Sequence, residues 1–313
     1  MALIEILLGV AYRNPLKIPS FAKNAFAQYY SQLARNTIQV ESACAQYNPE
    51  LFYLLKPGVC TFSNVEFTTR VEVNQGGMRD TEDAMINPSI VFLGDSFTMG
   101  WGVNQSQAFP QVIGQAGKKT LNAGISSYGT VRELLLLKSI AIDSTQTIVI
   151  QYHSNDAPEN LEFIAKGNHL PVSTHERYDS LCKAYIKGKK YYPGKLVSRI
   201  GRFLLKDLIV SEKLETRNYQ KEATIFLQVL KSFSSLELKK IVIFEVGSRN
   251  MNKNDFVNAL EKEITSGTYP EYIERATLVK LEHAFSENDY YILDDHLNSK
   301  GHQKLAQILS KFL

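Results

Sequence analysis

The sequence predicts an α/β fold: a three-layer α/β/α sandwich built on a flavodoxin-like sheet of five parallel strands. Two observations carry this. Short runs that are apolar on both faces, such as Ser89 to Leu93, suit strands covered on both sides. From residue 89 onward these runs alternate with stretches of helical length, the pattern of βαβ units.

The elements follow in order. Strand Ser89 to Leu93 precedes a helix near Pro110 to Ala116, with Pro110 suited to the first turn, where its missing N–H is no loss. A second strand, Thr120 to Ala123, leads to a helix over Val131 to Ile142. The third strand, Thr147 to Tyr152, is apolar and β-branched. Beyond it lie a long helix around Tyr219 to Phe233, a strand Lys240 to Val246, a helix near Asp255 to Ile264, a strand Thr277 to Leu281 and a closing helix Ser299 to Phe312.

The regular pattern fills residues 88–313, interrupted at about 157–217. That stretch carries Tyr185, Tyr191 and Tyr192 and follows a strand end, where insertions form lids. Residues 1–87 form an N-terminal accessory region. Helical spacing runs from Phe21 to Leu33, and a β element from Thr61 to Val73 ends at the turn Asn74-Gln75-Gly76-Gly77.

Composition narrows the partners. The 313 residues are 44% hydrophobic with a net charge of +3, an ordinary globular balance that gives no reason to expect nucleic acid. The basic residues cluster once: eight lysines and arginines and no acid lie between Lys183 and Lys206, either a solvated face or a surface for an anionic substrate or lipid headgroups. Cys44, Cys60 and Cys182 have no zinc spacing. If Cys44 and Cys60 pair across the segment holding Pro49, Pro57 and Gly58, the protein is exported, to the cell envelope or periplasm; two reduced thiols would leave the cytoplasm open. The apolar Met1 to Arg13 stretch is short of the roughly 20 residues a spanning helix needs and carries Glu5. It reads as the stub of an N-terminal anchor missing from this chain, through which the protein would associate peripherally with a membrane.

Chemistry gathers at the strand ends, where ligands of open parallel sheets bind. Serine hydrolysis needs a nucleophile, a histidine, an acid and donors for an oxyanion. Ser96 follows the first strand in Gly94-Asp95-Ser96, with Asp95 suited to organising the turn. The small-residue turn Asn122 to Gly129 follows the second strand, and His153-Ser154-Asn155-Asp156 the third. Asn155 offers an amide to an oxyanion; losing one such donor lowers a rate about 100- to 1,000-fold. Asp294-Asp295-His296 stands just before the last helix and brings acid and base together. His153 is read as pocket lining and His302 as a helix-face residue. With no HExxH, EF-hand loop, P-loop or complete GxGxxG, neither metal nor cofactor is implied.

This ordered set resembles the SGNH, or GDSL-type, hydrolase superfamily over residues 89–313 apart from the insertion, through Gly94-Asp95-Ser96, Asn122-Ala123-Gly124, Asn155-Asp156 and Asp294-Asp295-His296. The flanking Phe97 to Val103 and Asn298 to His302 look like a bacterial branch of it. No Gly-x-Ser-x-Gly elbow points instead to an ordinary α/β-hydrolase. The resemblance implies Ser96 as nucleophile and first oxyanion donor, His296 as general base and then acid, and Asn155 as a further donor. Two positions depart from the family pattern. The family's glycine in the turn after the second strand aligns with Ser127, with Gly129 two residues on, so either backbone N–H can complete the oxyanion site. Its acid stands three residues before the histidine, where this chain has Leu293; Asp294 takes the role here, with Asp295 second.

The function implied is an esterase that removes a small acyl group, such as acetyl, from a carbohydrate or lipid by way of an acyl-Ser96 intermediate. An O-acyltransferase of an exported polysaccharide would share that intermediate. A carbohydrate-binding relative without catalysis would follow if the shortened acid spacing left His296 without a partner.

Overall fold

The structure is a computed structural model describing residues 2–209, 217–249 and 254–313. It opens with a helix, α1 (Ala2–Arg13), and a second, α2 (Lys23–Tyr29), which continues into a π-helical turn over Tyr30–Ala34. The expected helix from Phe21 to Leu33 is therefore present, with its second half wound as a π-helix. Two antiparallel hairpins follow, β1 (Ala45–Asn48) with β2 (Phe52–Leu55), and β3 (Gly58–Ser63) with β4 (Thr68–Val73). The N-terminal β region is thus larger than one small element: Thr61 to Val73 turns back on itself at Asn64 to Phe67, and β1 and β2 add a second ribbon. Cys44 and Cys60 are joined in a disulfide that ties the residue before β1 to β3.

Five parallel strands make the main sheet: β5 (Ile90–Leu93), β6 (Thr120–Asn122), β7 (Thr147–Tyr152), β8 (Lys240–Glu245) and β9 (Thr277–Val279). Their order is β6-β5-β7-β8-β9, the flavodoxin-like arrangement with its switch point beside β5. Successive side chains alternate between two cores, as a pleated strand requires. Val91, Leu93, Ile148, Ile150, Ile241 and Ile243 face one, while Ile90, Phe92, Val149, Val242 and Phe244 face the other.

Helices cover both faces. A single turn, α3 (Ser96–Met99), follows β5; α4 (Phe109–Gln115) precedes β6, and α5 (Thr130–Leu137) precedes β7. Next come α6 (Asp156–Ala165), α7 (His175–Lys189), α8 (Lys195–Ile209), α9 (Tyr219–Lys231), α10 (Asp255–Ser266), the short α11 (Glu271–Glu274) and α12 (Ser299–Leu309). Helices α5, α9 and α10 bury Leu134, Phe226 and Phe256 in the first core; α4 and α12 bury Ile113 and Leu305 in the second. The irregular stretch of the sequence is largely helical, formed by α6, α7 and α8, and its residues 210–216 and the Lys206 side chain lie outside the described residues. Helix α8 packs with α1 and α2 in a third small core, where Phe26, Tyr29 and Tyr30 meet Ile200, Phe203 and Leu293.

Candidate active site

Ser96 sits at the carboxyl end of β5, an interior strand between β6 and β7. Gly94 is required there: at φ +158°, a Cβ would come within 2.2 Å of Thr98 Oγ1 and 2.5 Å of Gln151 Oε1. Asp95 caps α3, its carboxylate accepting from the Phe97 N–H at 2.9 Å, while the Gly100 and Trp101 N–H groups close back on the Ser96 carbonyl. Gly124 seats the neighbouring turn against this one, since a Cβ on it would lie 2.3 Å from the Met99 backbone nitrogen.

The loop before α12 brings the other partners. Tyr290 and Leu297 bridge, and the Tyr291 N–H donates to the His296 carbonyl, so Asp294-Asp295-His296 forms the tip of a tight reversal. His296 Nε2 lies 2.7 Å from Ser96 Oγ, and His296 Nδ1 lies 2.5 Å from Asp294 Oδ1. A ring nitrogen facing a carboxylate carries the proton, so Nδ1–H donates to Asp294 and Nε2 accepts from the Ser96 hydroxyl. The imidazole is walled by Trp101 and Phe97, with ring centroids 5.1 and 4.6 Å away. Asp295 is exposed, lies 3.4 Å from His296 Nδ1 and pairs with Arg35 at 3.1 Å.

Charge is concentrated in this buried pair. Burial works to raise the Asp294 carboxyl, but the charge and hydrogen bond of His296, with Arg35 and Tyr30 behind, hold it below the usual carboxylate range. Burial works to lower His296, and the Asp294 charge and hydrogen bond outweigh it, so its pKa is raised. Asp294, Asp295 and His296 also place three ligand-type atoms within 4.8 Å of one another. The hydrogen bond between Asp294 and His296 already engages two of them.

Ser127, Gly129 and Asn155 are brought together as lining of one pocket of about 410 Å³, with Phe52, Arg132 and Glu159; Ser96 is outside that lining. Ser127 is exposed and has φ +62°, a left-handed conformation that explains why a glycine is expected at this position. Gly129 starts α5 at φ −101°. Asn155 is exposed and its Oδ1 lies 2.7 Å from His153 Nδ1, while its amide nitrogen makes no hydrogen bond among the described residues. His153 stacks on Phe97 at 5.6 Å. His302 is buried against Phe109, its Nδ1 accepting from the Phe109 N–H, and burial pushes its pKa down to about 3.

The residues that sequence reasoning missed belong to the N-terminal region, which touches the turn after Ser96, the Asn122 to Ser127 turn and the Asp294 to His296 loop. Tyr30 donates its hydroxyl to Asp294 Oδ2, beside the Trp101 indole N–H at 2.9 Å on the same oxygen. Glu66, at the tip of the β3–β4 hairpin, accepts from the backbone N–H groups of Ile292, Leu293 and Asp294 at 2.6 to 2.8 Å. The buried Arg79 donates to the Gly100 and Val103 carbonyls at 2.5 and 2.7 Å. Asp80 accepts from the Asn122 N–H at 2.8 Å, Tyr53 donates to the Ser126 carbonyl, and Gln39 donates to Ser127 Oγ at 3.1 Å. Only tertiary contacts identify this set: Glu66 lies in a turn between two strands and Arg79 and Asp80 in a polar loop, where charged residues are ordinary.

No protein-family model and no curated protein sequence matches the chain. Among solved structures, the chain is similar to a protein of the lipolytic G-D-S-L family from Desulfitobacterium hafniense DCB-2, at 12% identity and a TM-score of 0.39, covering 72% of this chain and 98% of that one. TesA overlaps at 13% identity and a TM-score of 0.37, over 70% of this chain and 94% of its own. A protein from Lactobacillus plantarum overlaps at 14% identity and a TM-score of 0.39, over 72% and 96%. These overlaps are slight, and the chemistry open to the protein is set by the geometry around Ser96.

Proposed function

We propose that the protein is a serine ester hydrolase that takes a small acyl group, such as acetyl, from a carbohydrate or lipid ester. One observation carries the reading: Ser96, His296 and Asp294 form an unbroken hydrogen-bonded chain at the carboxyl end of β5. In the first half-reaction Ser96 Oγ attacks the ester carbonyl carbon while His296 Nε2 takes the hydroxyl proton. In this reading the tetrahedral oxyanion is met by the Ser96 N–H, by the N–H of Ser127 or Gly129 in the turn after β6, and by the Asn155 amide. Collapse breaks the bond to the leaving alcohol, which receives its proton from His296, and leaves acyl-Ser96. Water then attacks, giving its proton to His296, and the acid departs as Ser96 regains its hydrogen.

Asp294 holds the Nδ1–H tautomer and stabilises the imidazolium that forms at each proton transfer. This supports catalysis over a binding role alone, because the histidine has its acid despite the two-residue spacing. The Cys44–Cys60 disulfide supports an oxidising compartment such as the periplasm. The residues 1–87 act in this reading as a support for the site carried by residues 88–313. Incubating the protein with p-nitrophenyl acetate and with an acetylated oligosaccharide tests the proposal: hydrolysis that disappears in Ser96→Ala is expected, and equal hydrolysis by the variant overturns it.

A further inference from the structure

Helix α1 is turned the wrong way round for a helix of an isolated globular protein. Leu3, Ile4, Ile6, Leu7 and Val10 are each more than half exposed, between 51% and 69%. The one acidic residue of the helix, Glu5, is the one that is buried. Its carboxylate accepts from the Leu196 and Val197 N–H groups at 3.0 and 2.9 Å and from the Tyr191 hydroxyl at 3.1 Å. It therefore caps the N-terminus of α8, where a negative charge is favoured. That contact fixes the rotation of α1 and commits its apolar face to the outside. Scattered surface leucines need no explanation, but contiguous ones on a single helix face mark an interaction surface.

Along the chain, the charges that follow this face are basic. Glu5 is the sole acid among residues 2–40, while Arg13, Lys17 and Lys23 are exposed. The turn that Glu5 grips belongs to the basic segment, and Lys187 and Lys190 stand exposed just before Tyr191. Exposed Tyr191, and Leu16 and Phe21 at 88% and 80% exposure, extend the apolar and aromatic character beside the lysines. An exposed apolar helix face with Arg13 in its last turn, and with exposed lysines and tyrosine in the segments that adjoin it, matches an interface of hydrocarbon and anionic headgroups. No helix among the described residues is long and apolar enough to cross a membrane, so α1 would lie in the surface.

We propose that the α1 face of Leu3, Ile4, Ile6, Leu7 and Val10, with the neighbouring basic residues, seats the protein on an anionic lipid bilayer. The inference does not depend on the chemistry of Ser96. Co-sedimentation of the full chain with phosphatidylcholine vesicles, with and without phosphatidylglycerol, tests it. The protein is expected to partition onto the phosphatidylglycerol vesicles and to leave them as salt is raised. Leu3→Gln with Leu7→Gln is expected to weaken partitioning roughly 10- to 100-fold, and Lys187→Gln with Lys190→Gln about 5-fold per charge. These side chains are exposed, so circular dichroism of the variants should match the parent. No partitioning at low salt, or partitioning unchanged in the leucine variant, overturns the proposal. So does a stable dimer of the parent that the leucine variant abolishes, which would assign the face to a second copy of the chain.

Discussion

Tyr30 donates its hydroxyl to the Asp294 oxygen that faces away from His296, while the other oxygen of the same carboxylate receives the His296 Nδ1–H. The two residues are 264 positions apart in the chain. Tyr30 begins the π-helical turn that interrupts the end of α2, and such turns are frequent at functional sites. The acid is therefore held between the main domain and the N-terminal region, with the Trp101 indole N–H and the His296 backbone N–H as further donors.

Tyr30→Phe keeps the packed ring and removes one donor from the carboxylate. The charge of Asp294 is then less dispersed and bears more strongly on His296, whose pKa rises further. The acid limb of the kcat/KM profile for a soluble ester should move to higher pH, with kcat at the optimum lowered roughly 10-fold, the scale of one hydrogen bond to a charged group. An unchanged pH profile would reduce Tyr30 to a packing residue.

The two aspartates should separate cleanly. Asp294→Asn leaves the geometry but presents an amide to Nδ1, and kcat should fall roughly 10³- to 10⁴-fold. Asp295 is exposed and its pairing with Arg35 lies in solvent, so Asp295→Asn should change kcat less than about 5-fold. Steady-state kinetics on both variants decides between them.

His296 must be neutral to take the Ser96 proton, and its pKa is raised by Asp294. Activity should therefore increase with pH along a limb centred above the ordinary imidazole value of 6.5. Stability follows the signs of the same shifts. The raised histidine contributes fully below 6.5 and loses its contribution as pH climbs through its folded value. The depressed Asp294 contributes above 3.8 and loses its contribution as pH falls through its folded value. Urea unfolding against pH should show the pair contributing most between those limits, and Asp294→Asn should flatten both flanks.

The Cys44–Cys60 bond closes a loop with a sequence separation of 16. In the chain-entropy account such a loop contributes about 3 kcal/mol. Reduction, or the double change Cys44→Ser with Cys60→Ser, should lower unfolding stability by about that amount in urea titrations. Activity should fall further than global unfolding explains, because the two hairpins tied here carry Tyr53 and Glu66 to the site.

The sequence by itself determined the fold class, the five strands and the helices that follow them, because strands buried on both faces must be apolar at every position and their ends are punctuated by small and polar residues. It also determined which residues stand at those ends: Ser96, Asn155 and His296 each lie where a strand or loop reaches the carboxyl edge of the sheet, and Ser96 and His296 meet there. What only the tertiary structure decided is how they are held. The apolar pattern of residues 1–87 says that they pack, not onto what. Tyr30, Glu66, Arg79 and Asp80 act through single hydrogen bonds to backbone and side chains far along the chain, and a hydrogen bond leaves no periodic trace in sequence. The choice of Asp294 over Asp295 is of the same kind: two adjacent carboxylates are alike in sequence, and the reversal between Tyr290 and Leu297 buries one against His296 and leaves the other in water.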